Sequence, residues 1–236
     1  ADKERAAAAR QHQATLSETW EKAGQDYRKQ LRQSPRAVDY LKGRGVSGEV
    51  AQRYGLGYAP EGWRHLASVF AQYDDPLLSD SGLVIVGEED GKRYDRFRDR
   101  VMFPIRNVKG ECIGFGGRVL GDDKPKYLNS PETPVFHKGS ELYGLYEART
   151  AIREAGFALV TEGYMDVIGL AMGGISHAVA PLGTALTESQ IELLWRLAPD
   201  PILAFDGDSA GERAATRAAD RALPILRPGY SLRFCW

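Results

Sequence analysis

The stretch FALVTEGYMDVIGL (157–170), with HAVAPLG (177–183) and PILAFDGDSAGERAATRAADRAL (201–223) behind it, decides the fold. FALVTE is an apolar run of strand length, closed by Gly163 and followed by a helical segment from Tyr164 to Met172. HAVAPLG is a second such run. Thr187 with Gln190 forms a capping box for a helix whose apolar face is Ile191, Leu194, Trp195 and Ala198. PILAFDGD is a third strand, Ser209 with Glu212 reads as another capping box, and SLRFCW (231–236) begins a fourth strand. Strands alternating with helices in this way specify a parallel α/β sheet with right-handed crossovers.

Outward from this core, residues 82–119 change texture. GLVIVGEEDGKRYDRF holds two strand-like runs around a Glu-Asp-Gly turn, and RVMFPIRNVKGECIGFGGRVL holds two more around Lys109-Gly110. These runs predict an antiparallel region, in which GFGG (114–117) reads as a bulge rather than a dinucleotide fingerprint. Residues 121–142 carry three prolines and no periodicity, the pattern of a functional or mobile segment. The first 34 residues are alanine-rich, with Leu16, Trp20, Tyr27 and Leu31 on one helical face, and Ser34-Pro35 ends them. Glycines break residues 36–58 into short helices.

The chain of 236 residues has 31 Lys and Arg against 32 Asp and Glu, which excludes a uniformly basic protein. At 43% hydrophobic it can bury a sizeable core. Cys112 and Cys235 make neither a disulfide framework nor a CxxC zinc site and suit a reducing compartment. No apolar run approaches the ~20 residues that cross a bilayer. The expectation is a soluble, cytoplasmic, excised fragment.

Three carboxylates close strands of the parallel sheet: Glu162, Asp206 and Asp208. In open α/β sheets the ligand sits beyond the carboxyl ends of the strands. Alternation along a strand would put Asp206 and Asp208 on one side, able to share Mg²⁺ or Mn²⁺, cations that prefer oxygen ligands. A second reading makes the two aspartates a cap and a turn of the next helix; Glu162 at an equivalent strand end weighs against it. Asp166 is either a further ligand or a first-turn helix acid. Charge is uneven: Lys92 to Lys138 holds eleven basic and six acidic residues. If the strand continues, Arg96, Arg98 and Arg100 line one face that attracts phosphate backbones. Tyr127 and Phe136 offer stacking surfaces. Arg213, Arg217 and Arg221 form a row read as a solvated helix face, paired with Glu212 and Asp220.

EGYMDV (162–167) and FDGDSAG (205–211) resemble the two signatures of the Toprim domain. FRDRVMFPI (97–105), IGFGGRVLG (113–121), PKYLNSPET (125–133) and FHKGSELYGLYEA (136–148) resemble, in order, the RNA-polymerase core of bacterial DnaG-type DNA primases, and YLKGRGVSGEV (40–50) and GLGYAP (55–60) resemble its start. The resemblance implies a helix or linker over 1–34, a basic α/β subdomain with an antiparallel sheet over 35–142, and a C-terminally truncated Toprim subdomain over 143–236. It further implies a nucleotidyltransferase making short RNA primers from ribonucleoside triphosphates on single-stranded DNA. Glu162, Asp206 and Asp208 would form its catalytic metal centre, taking Mg²⁺ with Mn²⁺ as a substitute. Arg118, Lys126, Tyr127, Asn129 and Lys138, with Arg44, would face nucleotide and template.

The family carries a further Asp-x-Asp soon after the strand begun at Ser231, and a zinc module before the core; neither is in this sequence, so no zinc is expected. An RNA–DNA hybrid product is implied, as is a replicative helicase partner engaged through parts absent here, and nucleoid-associated replication machinery as the location, with no membrane contact. The alternatives are a Toprim nuclease, a catalytically incomplete single-stranded DNA- or nucleotide-binding fragment, and, more remotely, a haloacid-dehalogenase-type phosphohydrolase using FDGDS.

Overall fold

A computed structural model describes residues 2–236. The chain divides into two compact units, one made of residues up to Arg44 with 51–105 and 111–136, the other of 45–50, 106–110 and 137–236.

In the first unit, α1 (Asp2–Gln33) buries Leu16, Trp20, Ala23, Gly24, Tyr27 and Leu31, the expected stripe. Trp20 Nε1 donates to the Ser81 carbonyl at 3.0 Å, so even the polar end of the indole is satisfied. Tyr27 packs edge-on against Phe115, with ring centroids 5.4 Å apart. α2 (Pro35–Gly43) starts at Ser34, whose hydroxyl accepts from the Ala37 N–H, and α3 (Gly48–Arg53) follows. β1 (Gly57–Ala59) lies so close to α1 that a Cβ on Gly57 would stand 2.6 Å from the Tyr27 Cβ. After α4 (Pro76–Asp80), β2 (Val84–Val86) and β3 (Arg93–Asp95) form a separate antiparallel pair. β4 (Arg100–Arg106), β5 (Cys112–Val119) and β6 (Tyr127–Asn129) join β1 in a sheet ordered β1-β4-β5-β6.

Three expectations change here. The strand does not run from Arg96 to Arg100: it breaks at residues 96–99, where Asp99 takes φ +49°. On the β6 side the GFGG end shows no bulge, because β5 keeps register with β6 through Gly116–Asn129, Gly117–Leu128 and Arg118–Tyr127. Its glycines admit neighbours instead; a Cβ on Gly117 would meet Arg100 Cδ and Phe97 Cδ1, both at 3.0 Å. The segment 121–142, read as irregular, contributes β6 as the edge of this sheet.

In the second unit, α5 (Leu145–Ala155), β7 (Leu159–Val160), α6 (Tyr164–Met172), β8 (Ala178–Val179), α7 (Glu188–Leu197), β9 (Ile202–Ala204), α8 (Ser209–Ala222) and β10 (Arg233–Cys235) alternate as expected. The strands pair in parallel in the order β10-β9-β7-β8. Leu145, Ile152, Val160, Val179, Ile191, Leu194, Trp195, Leu203 and Ala218 share one buried core, so helices from sequence positions far apart meet on the same apolar surface. The Thr187–Gln190 capping box is formed: Thr187 Oγ1 accepts from the Gln190 N–H at 3.1 Å, and Gln190 Oε1 accepts from the Thr187 N–H at 3.0 Å. The Ser209–Glu212 box is not. Asp208 caps α8 in its place, its Oδ1 accepting from Ala210 N–H at 3.0 Å and Gly211 N–H at 2.8 Å. Among the described residues, no helix is long and apolar enough to cross a membrane.

Candidate catalytic and nucleic-acid sites

The strand order of the second unit locates a crevice. The chain leaves β7 toward β8 on one side and, from β8, crosses back to β9 on the other side of β7. The direction of winding therefore reverses between β7 and β9, and ligands bind beyond the carboxyl ends of strands at such a switch point. Glu162 lies two residues past β7, and Asp206 two residues past β9. They meet there: Glu162 Oε1 accepts the Asp206 backbone N–H at 2.7 Å.

β9 ends at Ala204, so Asp206 and Asp208 stand in the loop after it and not on alternate strand positions. Asp208 is the α8 cap, so the bland reading of the DxD describes part of its role; one oxygen serves two backbone N–H groups while the other has none of these contacts. Gly211 sits so close to this loop that a Cβ there would lie 1.9 Å from the Asp206 carbonyl oxygen, which ties the helix start to the aspartates. Asp166 Oδ2 accepts the Gly163 N–H at 3.1 Å and so serves the start of α6.

Glu162, Asp206 and Asp208 are all exposed and all offer carboxylate oxygens, a donor set that suits Mg²⁺ or Mn²⁺. Among the described residues, no group of three or more His, Cys, Asp or Glu is gathered as a metal cluster, so the three would have to converge on an ion. A cavity of about 310 Å³ adjoins Glu162, lined also by Gly183, Thr184, Phe205 and Arg217 among others. Arg217 thus faces this cavity, and Arg221 donates to the Leu186 carbonyl at 2.7 Å. That row is therefore not the uniformly solvated face expected of it.

Lys138 and His137 also belong to the second unit. The turn that bears them is held by Gln190, fully buried, whose Nε2 donates to the Lys138 carbonyl at 2.9 Å and the Glu141 carbonyl at 2.8 Å. Burial pushes the Glu141 carboxyl up to about 7, with His137 pulling the other way.

The basic residues of the first unit separate into two groups. Arg118 and Tyr127 face each other across β5 and β6, and Arg118 stacks over the Tyr40 ring at 4.8 Å. Arg44 ends α2 one turn after Tyr40, and Lys126 Nζ stands 5.9 Å from the Tyr127 ring centroid. Phe136, expected as a stacking surface, is fully buried.

Arg96, Arg98 and Arg100 line a second cavity, of about 610 Å³, with Trp63, Tyr94 and Lys124. Their environments differ, contrary to one alternating face. Arg96 donates through Nε and Nη2 to the Asn129 carbonyl at 3.1 and 2.8 Å, which also ties Asn129 into the fold. Arg100 is 4% exposed and donates to the carbonyls of Gly117, Pro125 and Lys126 at 2.7–3.3 Å. Burial lowers both guanidinium pKa values. Arg98 is partly buried as well: its Nη1 donates to the Asp95 carbonyl at 2.6 Å, and its guanidinium lies 4.1 Å over Trp63 and 5.4 Å over Tyr94. Trp63 is 63% exposed, a large aromatic open to solvent beside a cation. Neither Trp63 nor Tyr40 stands out in the sequence; Trp63 sits in a glycine- and proline-flanked turn without periodicity, and Tyr40 resembles any helix residue.

Residues 26–149 match the family described as the N-terminal domain of the DNA primase catalytic core, and residues 156–234 match the Toprim domain. FDGDS lies within the Toprim match, which leaves the phosphohydrolase alternative without support. The DNA primase of Pseudomonas putida is 57% identical over 219 residues, 90% of this chain and 33% of that protein. That of Escherichia coli is 48% identical over 229 residues, 95% of this chain and 39% of that protein. A solved DNA primase domain from Pseudomonas aeruginosa superposes with a TM-score of 0.88 at 54% identity, covering 93% of this chain and 70% of that one. A DnaG primase catalytic domain bound to single-stranded DNA gives 0.88 at 46% identity, covering 96% and 72%. The chain spans about a third of the length of the curated relatives it matches. The Toprim family is divalent-metal dependent, in keeping with the carboxylate donors here. With the switch-point acids and both matches in the same order along the sequence, the chain belongs to the DnaG-type bacterial DNA primase family, of which it holds the N-terminal domain of the catalytic core and the Toprim domain.

Proposed function

We propose that this chain is the catalytic core of a primase, joining ribonucleoside triphosphates into short RNA primers on a single-stranded DNA template. The observation that carries the reading is the Glu162–Asp206 contact across the β7–β9 switch point, which brings two carboxylate-bearing loops to the place where this sheet type binds ligands. Mg²⁺, or Mn²⁺ in its place, would be held by Glu162, Asp206 and Asp208 and would supply charge neutralisation at the triphosphate and a lowered pKa of the attacking 3′-hydroxyl. Glu162 accepts the proton of that hydroxyl. In the second unit Lys138 would balance triphosphate charge; in the first, Arg118 and Lys126, with Arg44, form a basic group suited to nucleotide or template phosphates. Arg98 and Trp63 hold the template, the guanidinium on a phosphate and the indole under a base. The hydroxyl oxygen bonds the α-phosphorus as the α–β phosphoanhydride bond breaks, so the products are an RNA–DNA hybrid and pyrophosphate. Contacts with a replicative helicase would lie in the two-thirds of the relatives' length outside this chain, and the setting is the cytoplasmic replication machinery at the nucleoid.

The test is incorporation of labelled ribonucleotides into short oligomers on single-stranded DNA with Mg²⁺ or Mn²⁺, comparing this chain with one extended to the length of its relatives. Primers from the extended form support the reading; silence from both, with intact folding, overturns it. A second reading, a single-stranded DNA-binding piece with an incomplete metal centre, is favoured by the absence of a gathered three-acid cluster among the described residues. It expects DNA binding that survives EDTA and no polymerisation by this chain alone.

The template assignment has its own consequence. Trp63→Ala is expected to weaken binding of a short oligo-dT about tenfold, the range of one lost base–aromatic stack. Its thermal midpoint should stay unchanged, because Trp63 is largely in solvent. Fluorescence anisotropy at two salt concentrations checks this; an unchanged Kd takes Trp63 off the template path.

A further inference from the structure

Within the first unit, two buried polar atoms on stacked side chains have no hydrogen-bond partner: the Tyr40 hydroxyl and Arg118 Nε. A buried donor without an acceptor costs stability, so native folds leave few of them. These two belong to side chains in direct contact, the Arg118 guanidinium lying 4.8 Å over the Tyr40 ring. Both residues are only partly buried as whole side chains, so the orphaned atoms sit just beneath a surface and not in the core. Tyr127, 40% exposed, stands opposite Arg118 in the β5–β6 register, and Arg44 contributes a further positive charge at Tyr40.

Resting on the reading of this strip as a nucleotide and template surface, we propose that Tyr40 is a further ligand-contacting residue: its hydroxyl and Arg118 Nε both donate to a phosphate oxygen of the bound substrate. The chemistry follows from what the pair lacks. Two donors need one acceptor, and the neighbouring guanidinium charges select an anionic one. A phosphate oxygen accepts several donors at once, and hydrogen bonds to a charged acceptor are the strong ones. Burial holds the Tyr40 phenol above its usual range, against the opposing pull of Arg118 and Arg44, so at neutral pH it is a donor. Arg118 Nη1 donates to the Val119 carbonyl at 2.5 Å, and stacking on Tyr40 further limits the directions open to the guanidinium, which holds its Nε on the Tyr40 side for an incoming acceptor. The phosphate belongs either to a nucleoside triphosphate or to the DNA backbone, and the same two donors would serve both.

The experiment compares Tyr40→Phe, Arg118→Gln and the unaltered chain for binding of ATP and, separately, of an oligo-dT. Tyr40→Phe keeps the ring under Arg118 and removes only the hydroxyl. It is expected to weaken one of the two ligands about tenfold, as for a lost hydrogen bond to a charged group. Its thermal midpoint should hold or rise by a few degrees, because an orphaned donor has been removed. Weakening of ATP alone assigns the oxygen to the triphosphate, and of oligo-dT alone to the template. Tyr27 is the internal control: its hydroxyl is equally unpartnered but lies in the core at 2% exposure, so Tyr27→Phe should change neither affinity. Unchanged affinities in Tyr40→Phe, with a loss in Arg118→Gln, overturn the role of Tyr40 alone. Unchanged affinities in both variants overturn the reading of the whole strip.

Discussion

Glu162→Gln, placed in a chain extended to the length of its relatives, is expected to lower the rate of primer synthesis by about 10²–10⁴-fold, the range for loss of a positioned proton acceptor. The substitution separates charge from structure. A glutamine keeps a carbonyl oxygen that can accept the Asp206 N–H, so the 2.7 Å contact across the crevice survives. What disappears is the negative charge and the ability to take a proton from the attacking hydroxyl. The thermal midpoint should therefore stay within a degree or two. Binding of single-stranded DNA in EDTA should be unaffected, since the template residues assigned here are Arg98 and Trp63. Single-turnover rates at saturating nucleotide read the effect directly. A variant as active as its parent would remove Glu162 from the chemistry and leave the switch-point crevice without its assigned base.

Arg100→Met is expected to act in the opposite way, costing about 2–4 kcal/mol of stability while telling little about template. Arg100 is 4% exposed and spends its donors on the carbonyls of Gly117, Pro125 and Lys126. Methionine fills much of the volume but takes the donor from the Gly117 and Pro125 carbonyls, while the Lys126 carbonyl keeps the Val119 N–H at 3.0 Å; a buried group left unmade costs about 1–3 kcal/mol. Lysine should not rescue it, because a single ammonium cannot reproduce the planar fork that reaches three oxygens. Since Arg100 ties β5 to the segment leading into β6, the strand bearing Tyr127 and Asn129 should loosen with it. Chemical denaturation of Arg100→Met and Arg100→Lys beside Arg98→Ala checks the contrast. Arg98→Ala should lose oligonucleotide affinity at a smaller cost in stability, about 1 kcal/mol for its single hydrogen bond to the Asp95 carbonyl. If Arg100→Met is as stable as its parent, the guanidinium is not the internal tie that its geometry describes.

The two cases show where residue patterns suffice. The alternating parallel unit could be read directly, because short apolar runs of strand length alternate with segments of 3.6-residue apolar period, and the Thr187–Gln190 box depends only on neighbours three residues apart. The α1 stripe of Leu16, Trp20, Tyr27 and Leu31 was readable for the same reason. The motifs EGYMDV and FDGDSAG, with the ordered series before them, were enough to identify the family. Local rules failed where two segments compete for one residue. Ser209 and Asp208 are both good caps, and Asp208 prevails because Gly211 packs against the Asp206 carbonyl and draws the helix start back by one residue. Arg96, Arg98 and Arg100 have identical spacing and charge. Which one enters the interior depends on Gly117, 17 residues away, making room for Arg100, and on the turn at Asp99 that breaks the strand. Sequence carries the kind of element and the chemistry of its side chains, since both are set by near neighbours. Whether a guanidinium meets a carbonyl or a phosphate, and whether a tyrosine hydroxyl is left without a partner, depends on contacts between distant segments, which exist only once the chain has packed.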